Sequence, residues 1–235
     1  HAGGVDNAFP HHTNEIAQSE SYLGHKWCNY WFHVRHLNSD SGKMSKSKGE
    51  FLTVSLLEKN GYDPMAYRLF CLQSHYRRNL VFSWENLDNA AAAYEKLIAK
   101  IATLRDEGGI EPMMFANLKQ RFAKALEGDL NTSVAVTAVY DVLKAKTTDA
   151  TKLALIADFD KVLCLNLLSA AENLRKKQAE EEAANADPEI DALVAERTAA
   201  KKARNFAEAD RIRDLLKERG IEIIDTPQGA KWRKV

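Results

Sequence analysis

Two lysines and two hydroxyl side chains alternate in one short polar segment, Lys43-Met44-Ser45-Lys46-Ser47. The segment follows the turn-forming residues Asp40-Ser41-Gly42, so we expect a loop. Ammonium and hydroxyl groups in this order can surround a triphosphate and stabilise the charge that builds on a leaving pyrophosphate. A solvated basic loop without a chemical role is the alternative that the residues alone leave open.

A histidine and a glutamate, His11 and Glu15, stand four residues apart just after Pro10. Proline suits the first turn of a helix, and a helix that begins there places both side chains on one face. An imidazole and a carboxylate are two of the four ligands that zinc normally requires. The alternative is a histidine at a helix start that only forms a hydrogen bond.

The C-terminal region carries a local excess of positive charge, with eight basic residues against four acidic ones between Arg197 and Arg219. Such a surface can follow a phosphate backbone. Phe206 and Trp232 could stack on unpaired bases, and Asp210 and Asp225 could accept hydrogen bonds from base amino groups. The alternative is an ordinary solvated helix pair with the two aromatic rings as its small core.

Apolar residues at spacings of three and four predict that most of the chain after residue 63 is helical. Four helices are predicted near residues 87–104, 114–126, 134–143 and 153–168, and we expect them to pack as an antiparallel bundle. The charged stretch 175–187 has little apolar content and is predicted to be a linker. Two more helices follow, the second capped by Asn205 and ended by Gly220, before a β-hairpin at residues 221–235.

The composition sets outer limits on the function. The 235 residues are 45% hydrophobic, enough for a sizeable core, and 33 basic residues balance 33 acidic ones, which excludes a globally basic nucleic-acid coat protein. No apolar run predicts a membrane span, no signal segment is present, and three dispersed cysteines predict reduced thiols in a cytoplasmic protein. Because the chain begins at His1 without a methionine, we expect the upstream half of the protein to be missing.

The order of residues in these segments resembles a known family. Lys-Met-Ser-Lys-Ser is the signature loop of class I aminoacyl-tRNA synthetases, and the stretch from Gly3 to Ser19 closely resembles the sequence that precedes this loop in cysteinyl-tRNA synthetases. Further segments are similar to the same family, namely Tyr30-Trp31-Phe32-His33, Ser74-His75-Tyr76-Arg77, and Asp225-Thr226-Pro227-Gln228-Gly229 with Trp232.

The resemblance implies a mainly α fold in three parts. Residues 1–82 would be the end of a Rossmann-type α/β catalytic domain with the signature loop. Residues 83–186 would be the helical bundle and linker, and residues 187–235 a small α+β anticodon-binding domain. The implied activity is the formation of cysteinyl-adenylate from cysteine and ATP with magnesium, followed by transfer to the tRNA for cysteine. A cytoplasmic monomer is expected, inactive without the upstream half.

The resemblance also assigns roles to residues. Lys43 and Lys46 would be catalytic, and Gly3, Gly4 and Asp6 would border the adenosine while the loop from Lys43 to Ser47 contacts ATP. His11 and Glu15 would bind one zinc ion that holds the substrate thiolate. The family's two cysteine ligands should lie in the missing half, because Cys28, Cys71 and Cys164 all come after those positions. The residues expected to contact the tRNA are Lys201, Lys202, Arg204, Phe206, Asp210, Asp225 and Trp232.

Two other functions were weighed against this one. A related ligase joins cysteine to an amino sugar in thiol-cofactor synthesis and shares the zinc and loop motifs. It lacks a matching anticodon-binding tail, so residues 205–232 argue against it. The second alternative is a freestanding tRNA-binding module without catalytic activity.

Overall fold

The structure, a computed structural model, describes residues 1–39, 53–184, 187–203, 205–226 and 229–234. The chain divides into two compact units, His1–Glu172 and Asn173–Val235. The signature loop from Lys43 to Ser47 and Arg204 lie outside the described residues. Of Asp225 the structure describes the backbone.

The first unit begins with short strands and one helix. Strand β1 (Ala2–Gly4) pairs in parallel with β2 (Phe32–Val34), with Gly3 opposite His33. Two helical turns, Val5–Asn7 and Ala8–His12, connect β1 to helix α1 (Thr13–Leu23), which ends at Gly24 in the left-handed conformation with φ +74°. The predicted helical turn around Pro10 is therefore present, and α1 continues from it.

A second parallel pair and two helices connect this segment to the bundle. Strand β3 (Leu37–Ser39) pairs with β4 (Leu80–Phe82), and helices α2 (Val54–Lys59) and α3 (Pro64–Leu72) lie between them in sequence. Helix α3 begins as its sequence indicates, because Pro64 occupies the first turn and the Asp63 carboxylate accepts a hydrogen bond from the backbone N–H of Met65 at 2.7 Å.

The helices predicted after residue 83 are all present. They are α4 (Trp84–Ala102), α5 (Pro112–Glu127), α6 (Thr132–Lys144) and α7 (Asp149–Leu163). Their apolar faces meet in a core in which the rings of Phe122 and Phe159 stack with centroids 4.1 Å apart. A mainly helical fold is therefore confirmed.

The predicted helix at residues 153–168 is wrong in one respect, because the structure breaks it after Leu163. Cys164 and Asn166 adopt left-handed backbone conformations, with φ of 51° and 56°. The Asp160 carboxylate accepts hydrogen bonds from the backbone N–H groups of Leu165 and Leu167, at 2.6 and 2.8 Å. A side chain from the last turn of α7 thus stabilises the corner and the start of the next helix.

The predicted linker at residues 175–187 is largely helical instead, since α8 extends from Leu167 to Ala184. Alanine, glutamate, lysine and glutamine are strong helix formers, so this stretch can be helical without an apolar face. Lys177 and Glu181 add an ion pair at 3.9 Å, four residues apart. Helix α8 begins in the first unit and ends in the second.

The second unit has the predicted layout. Helices α9 (Pro188–Lys202) and α10 (Phe206–Glu218) precede an antiparallel hairpin of β5 (Ile221–Thr226) and β6 (Gly229–Lys234). Asn205 caps α10 by accepting a hydrogen bond from the N–H of Glu208 at 3.3 Å, and Gly220 ends the turn with φ +72°. Among the described residues, no helix is both long enough and apolar enough to cross a membrane.

Candidate functional sites

Histidine and tryptophan rings gather around the start of the first unit. The ring centroid of His12 lies 4.8 Å from that of His1 and 4.9 Å from that of Trp31, and Trp27 packs 5.6 Å from Trp31. His12 is 5% exposed, and its Nδ1 lies 2.8 Å from Nε2 of His33. The two ring nitrogens share one hydrogen bond, so one histidine donates and the other accepts.

The pairing of β1 with β2 explains how this cluster forms. The pairing sets His33 opposite Gly3. The turn after β1 brings His12 back to this strand pair, where it contacts His33. A Cβ atom on Gly3 would lie 2.9 Å from Cε1 of His12 and 2.9 Å from Nδ2 of Asn7. A side chain at position 3 would therefore crowd the His12 ring and the Asn7 amide.

Gly4 and Asp6 form a second tight contact on the same turn. A Cβ atom on Gly4 would collide with the Asp6 carboxylate, which makes a contact of 3.6 Å with Nε2 of His36. The Asp6 side chain is 64% exposed, so its oxygens are open to a ligand. The predicted role of Gly3, Gly4 and Asp6 at the adenosine stays a prediction.

Three possible metal ligands converge beside the cluster. Ligand atoms of His1, His12 and Glu15 lie within 4.8 Å of one another, and Nε2 of His1 is 2.7 Å from Oε2 of Glu15. His11 is exposed and does not belong to this group of three. Imidazole and carboxylate groups are ligands that zinc accepts, so the donor set around Glu15 fits zinc. The pairing of His11 with Glu15 stays a prediction.

Sequence reasoning assigned no role to His12, His33 or the two tryptophans. These residues are contained in the motifs that resemble the family, so a signal was present. The spacing of residues along the chain could not reveal the contact, because His12 and His33 are 21 residues apart and a parallel strand pair brings them together.

Acidic partners offset part of the predicted basic surface in the second unit. Arg211 pairs with Glu208 at 2.6 Å, Arg213 with Asp210 at 3.1 Å, and Arg219 with Glu189 at 2.7 Å. The hydrogen bonds from Arg211 hold the pKa of Glu208 below its usual value. Arg211, Arg213 and Arg219 therefore have acidic partners in the described part of the unit, and Arg197 is buried. Lys201 and Lys202 are exposed, and their predicted phosphate contacts stay a prediction.

The two aromatic side chains of this unit have different surroundings. Phe206 begins α10 and is 63% exposed. Trp232 packs against the small core that contains Ile212 and Leu216, and its indole N–H donates to Oδ1 of Asp191 at 2.7 Å. Phe206 is therefore available for stacking, whereas the observed contacts of Trp232 are with its own unit. A stacking role for either ring stays a prediction.

The matches with known proteins define the class first. Residues 1–92 match the family described as the class I (C) tRNA synthetase catalytic domain, and residues 183–233 match the cysteinyl-tRNA ligase anticodon-binding domain. The chain thus combines the catalytic part of a class I tRNA synthetase with an anticodon-binding domain. These matches, together with the relatives below, make the chain similar to part of a cysteine–tRNA ligase.

Individual relatives agree with this assignment. The chain is 40% identical to the cysteine–tRNA ligase of Brevibacillus brevis and 42% identical to that of Halorhodospira halophila, in each case over its whole length. These alignments cover 52% and 51% of the two relatives, so the chain spans about half of their length. The expectation that the chain corresponds to part of a longer ligase is consistent with this coverage.

A solved structure supports the fold. The LeuRS of Agrobacterium radiobacter K84, solved in a ternary complex with tRNA and LeuAMS, superposes with a TM-score of 0.52. The match covers 74% of this chain and 26% of that protein at 15% sequence identity. At this identity the similarity concerns the fold alone.

Proposed function

We propose that this chain is part of a ligase that joins cysteine to its cognate tRNA. The rest of that ligase would correspond to the part of the relatives that the chain does not span. Cysteine and ATP would form cysteinyl-adenylate and release pyrophosphate, and the cysteinyl group would then move to the terminal ribose of the tRNA. The observation that carries this proposal is the presence, in one chain, of matches to a class I catalytic domain and to a cysteinyl-tRNA anticodon-binding domain.

In the first step, the ammonium groups of Lys43 and Lys46 would stabilise the negative charge that develops on the phosphates. Met44, Ser45 and Ser47 complete the loop around ATP, which binds with magnesium. The exposed Asp6 carboxylate is suited to accept hydrogen bonds from ribose hydroxyls, and the absence of side chains on Gly3 and Gly4 permits close approach of the backbone.

His11 and Glu15 are proposed as two ligands of a zinc ion, with the other ligands outside this chain. When bound, zinc supplies a soft acceptor that prefers the thiolate of cysteine to the hydroxyl of serine. Glu15 is already among imidazole groups in the structure. The neighbouring rings of Trp27 and Trp31 would limit the access of water to this side of the site.

In the second unit, Lys201, Lys202 and Arg204 would contact tRNA phosphates and position the anticodon loop. Phe206 and Trp232 would stack on bases, and Asp210 and Asp225 would accept hydrogen bonds from base edges. The exposure of Phe206 supports its part in this assignment more directly than the packing of Trp232 supports the other ring.

The other two functions receive less support. A cysteine–amino sugar ligase would have no use for the anticodon-binding domain that residues 183–233 match. A freestanding tRNA-binding module would have no use for the catalytic domain that residues 1–92 match. We further propose that the full-length ligase acts as a monomer in the cytoplasm.

Two assays on the full-length ligase test the proposal. Cysteine-dependent exchange of pyrophosphate into ATP measures adenylate formation, and attachment of labelled cysteine to tRNA measures transfer. We expect both activities with the tRNA for cysteine as acceptor. Exchange with transfer to an amino sugar and none to tRNA would support the alternative ligase, and tRNA binding without exchange would support the binding module.

A further inference from the structure

The segment between α3 and β4 makes a concentrated set of contacts with the loop between α5 and α6. The hydroxyl of Tyr76 donates to Oδ1 of Asp129 at 2.5 Å, and Arg77 donates to both carboxylate oxygens, from Nε at 2.5 Å and from Nη2 at 3.1 Å. Nε2 of His75 is 3.9 Å from the same carboxylate. Three consecutive side chains of one segment thus converge on a single aspartate of the helical bundle.

The electrostatics and the backbone both favour this arrangement. The hydrogen bonds from Arg77 and Tyr76 hold the pKa of Asp129 at about 2, so the carboxylate is ionised at neutral pH. Asp129 and Leu130 adopt left-handed backbone conformations, with φ of 63° and 53°. Aspartate tolerates this conformation better than most side chains do, and here it directs the carboxylate to the 75–77 segment.

The opposite side of the same segment contacts the strands next to the candidate site. The Tyr76 ring packs on Phe32 of β2 with centroids 4.3 Å apart, and the Tyr76 carbonyl accepts a hydrogen bond from the N–H of Arg35 at 2.9 Å. Strand β2 pairs with β1, and its His33 is hydrogen-bonded to His12. Tyr76 therefore lies between Asp129 on one side and the strand that supports Gly3 on the other.

We propose that Asp129 is a positioning residue for ATP in adenylate formation, acting through Tyr76 and Arg77 on the β1–β2 pair. Asp129 does not touch the substrate. It fixes the segment on which β2 rests, and so sets the position of the Gly3–Gly4 turn. This inference rests on the proposed function, because it assigns the adenosine to that turn.

A purely structural role for Asp129 would appear as a lower melting temperature, whereas a positioning role would appear as a higher KM for ATP. The Asp129 and Arg77 side chains are 47% and 64% exposed, and exposed ion pairs contribute little to the stability of the whole chain. Loss of the carboxylate should therefore leave the melting temperature almost unchanged. If the contact positions the strands, the loss should appear instead in the Michaelis constant for ATP.

The test compares Asp129→Ala and Tyr76→Phe with a matched control, Asp158→Ala, in the full-length ligase. Asp158 lies in the same unit and also forms ion pairs, with Lys119 at 2.8 Å and Lys161 at 3.3 Å, although its side chain is less exposed, at 23%. Neither of these described ion pairs involves the 75–77 segment. Pyrophosphate exchange would be measured over a range of ATP concentrations. Melting temperature and the Michaelis constant for tRNA would be recorded in parallel.

We expect Asp129→Ala to raise KM for ATP about fivefold, with kcat, KM for tRNA and melting temperature close to wild type, as a long-range contact of this kind permits. Tyr76→Phe keeps the ring on Phe32 and should give part of the same rise. Asp129→Glu should restore most of the affinity, and Asp158→Ala should show no change.

Two results would overturn the proposal. One is a KM for ATP within about twofold of wild type in Asp129→Ala, whatever the melting temperature. The other is an equal rise in Asp158→Ala, because the effect would then belong to the bundle in general. A wild-type ligase without cysteine-dependent exchange would instead refute the proposed function, so the two failures are distinguishable.

Discussion

Residues 1–39 and the helices from Trp84 to Leu163 are built in contrasting ways. Within residues 1–39, all of which the structure describes, His12 is the one buried side chain, while Phe9, Tyr22 and Tyr30 are 79%, 90% and 85% exposed. Each of these helices, by contrast, buries apolar side chains along its length. Examples are Leu97, Val139, Leu155 and Phe159.

The helical region therefore supplies most of the stability, whereas residues 1–39 contain the candidate site. The helical region gains its stability from its own core, since buried apolar area is the main favourable contribution to folding. Residues 1–39 are held by ring contacts, short strand pairs and the hydrogen bond from Arg35 to Tyr76. The region that contains the candidate site thus depends on its neighbours, as regions with few buried apolar contacts generally do.

The comparison is tested most strongly by truncating one phenylalanine in each region. Phe159→Ala removes a fully buried ring that stacks on Phe122, and it should lower the free energy of unfolding by about 3–5 kcal/mol. Phe9→Ala removes a ring that is mostly in solvent and should change that free energy by less than about 0.5 kcal/mol. Urea denaturation of both variants measures the difference. Equal losses would show that the two regions share one core.

The next prediction concerns the signature loop. Lys46→Ala should lower kcat for pyrophosphate exchange about 100- to 1000-fold, the scale of removing one preorganised group from a developing charge. The effect on KM for ATP should be smaller, because the charge builds up in the transition state. Urea denaturation should give the wild-type value, in contrast to Phe159→Ala. Activity within about threefold of wild type would contradict the assignment, and Lys48→Ala, outside the five-residue motif, is the matched control.

Sequence patterns predicted the parts of the fold that depend on neighbouring residues. The periodicity of Leu87, Tyr94 and Leu97 identified α4, and the Asn205 cap and Gly220 identified both ends of α10. These signals act within a few turns of helix, so one segment contains them. Helix α8 was missed because its helix-forming residues carry no apolar period.

The contacts that shape the candidate site could not be predicted in this way. Asp129 is 52 residues from Arg77, and the sequence around it gives no sign of a partner. The same holds for His12 and His33, whose contact depends on a parallel strand pair. The segments that resemble the family contain His12, His33 and Arg77, but the resemblance gives no information about which of these residues are in contact.

A third prediction distinguishes two histidines beside the candidate metal site. In the full-length ligase, Glu15→Gln and His11→Asn should each lower zinc affinity by at least about 100-fold, because each removes a ligand and loss of an outer-shell partner alone costs about 10- to 100-fold. His12→Asn should retain zinc and disturb the contact with His33. Zinc content after dialysis against graded concentrations of a chelator measures the affinity. If His12→Asn loses zinc and His11→Asn retains it, the His1, His12 and Glu15 group of the structure is the ligand set, and the predicted pair is wrong.

The smallest expected effect sharpens the same contrast inside the second unit, where Phe206 is exposed and Trp232 is packed. Phe206→Ala should weaken binding of the cognate tRNA about tenfold, within the range of about 1–3 kcal/mol for loss of one stacked base, and leave the unfolding free energy unchanged. Trp232→Ala should instead lower stability, because it removes the ring from the core and leaves Asp191 without its donor.

The measurement is titration of the full-length ligase with cognate tRNA and with an anticodon-swapped tRNA at two salt concentrations. Lys202→Gln provides the control, since loss of a phosphate contact weakens both tRNAs alike and reduces the salt dependence. Because stacking does not depend on charge, Phe206→Ala should weaken binding by the same factor at both salt concentrations. A Phe206→Ala variant that binds cognate tRNA as wild type does would remove stacking by Phe206 from the proposal.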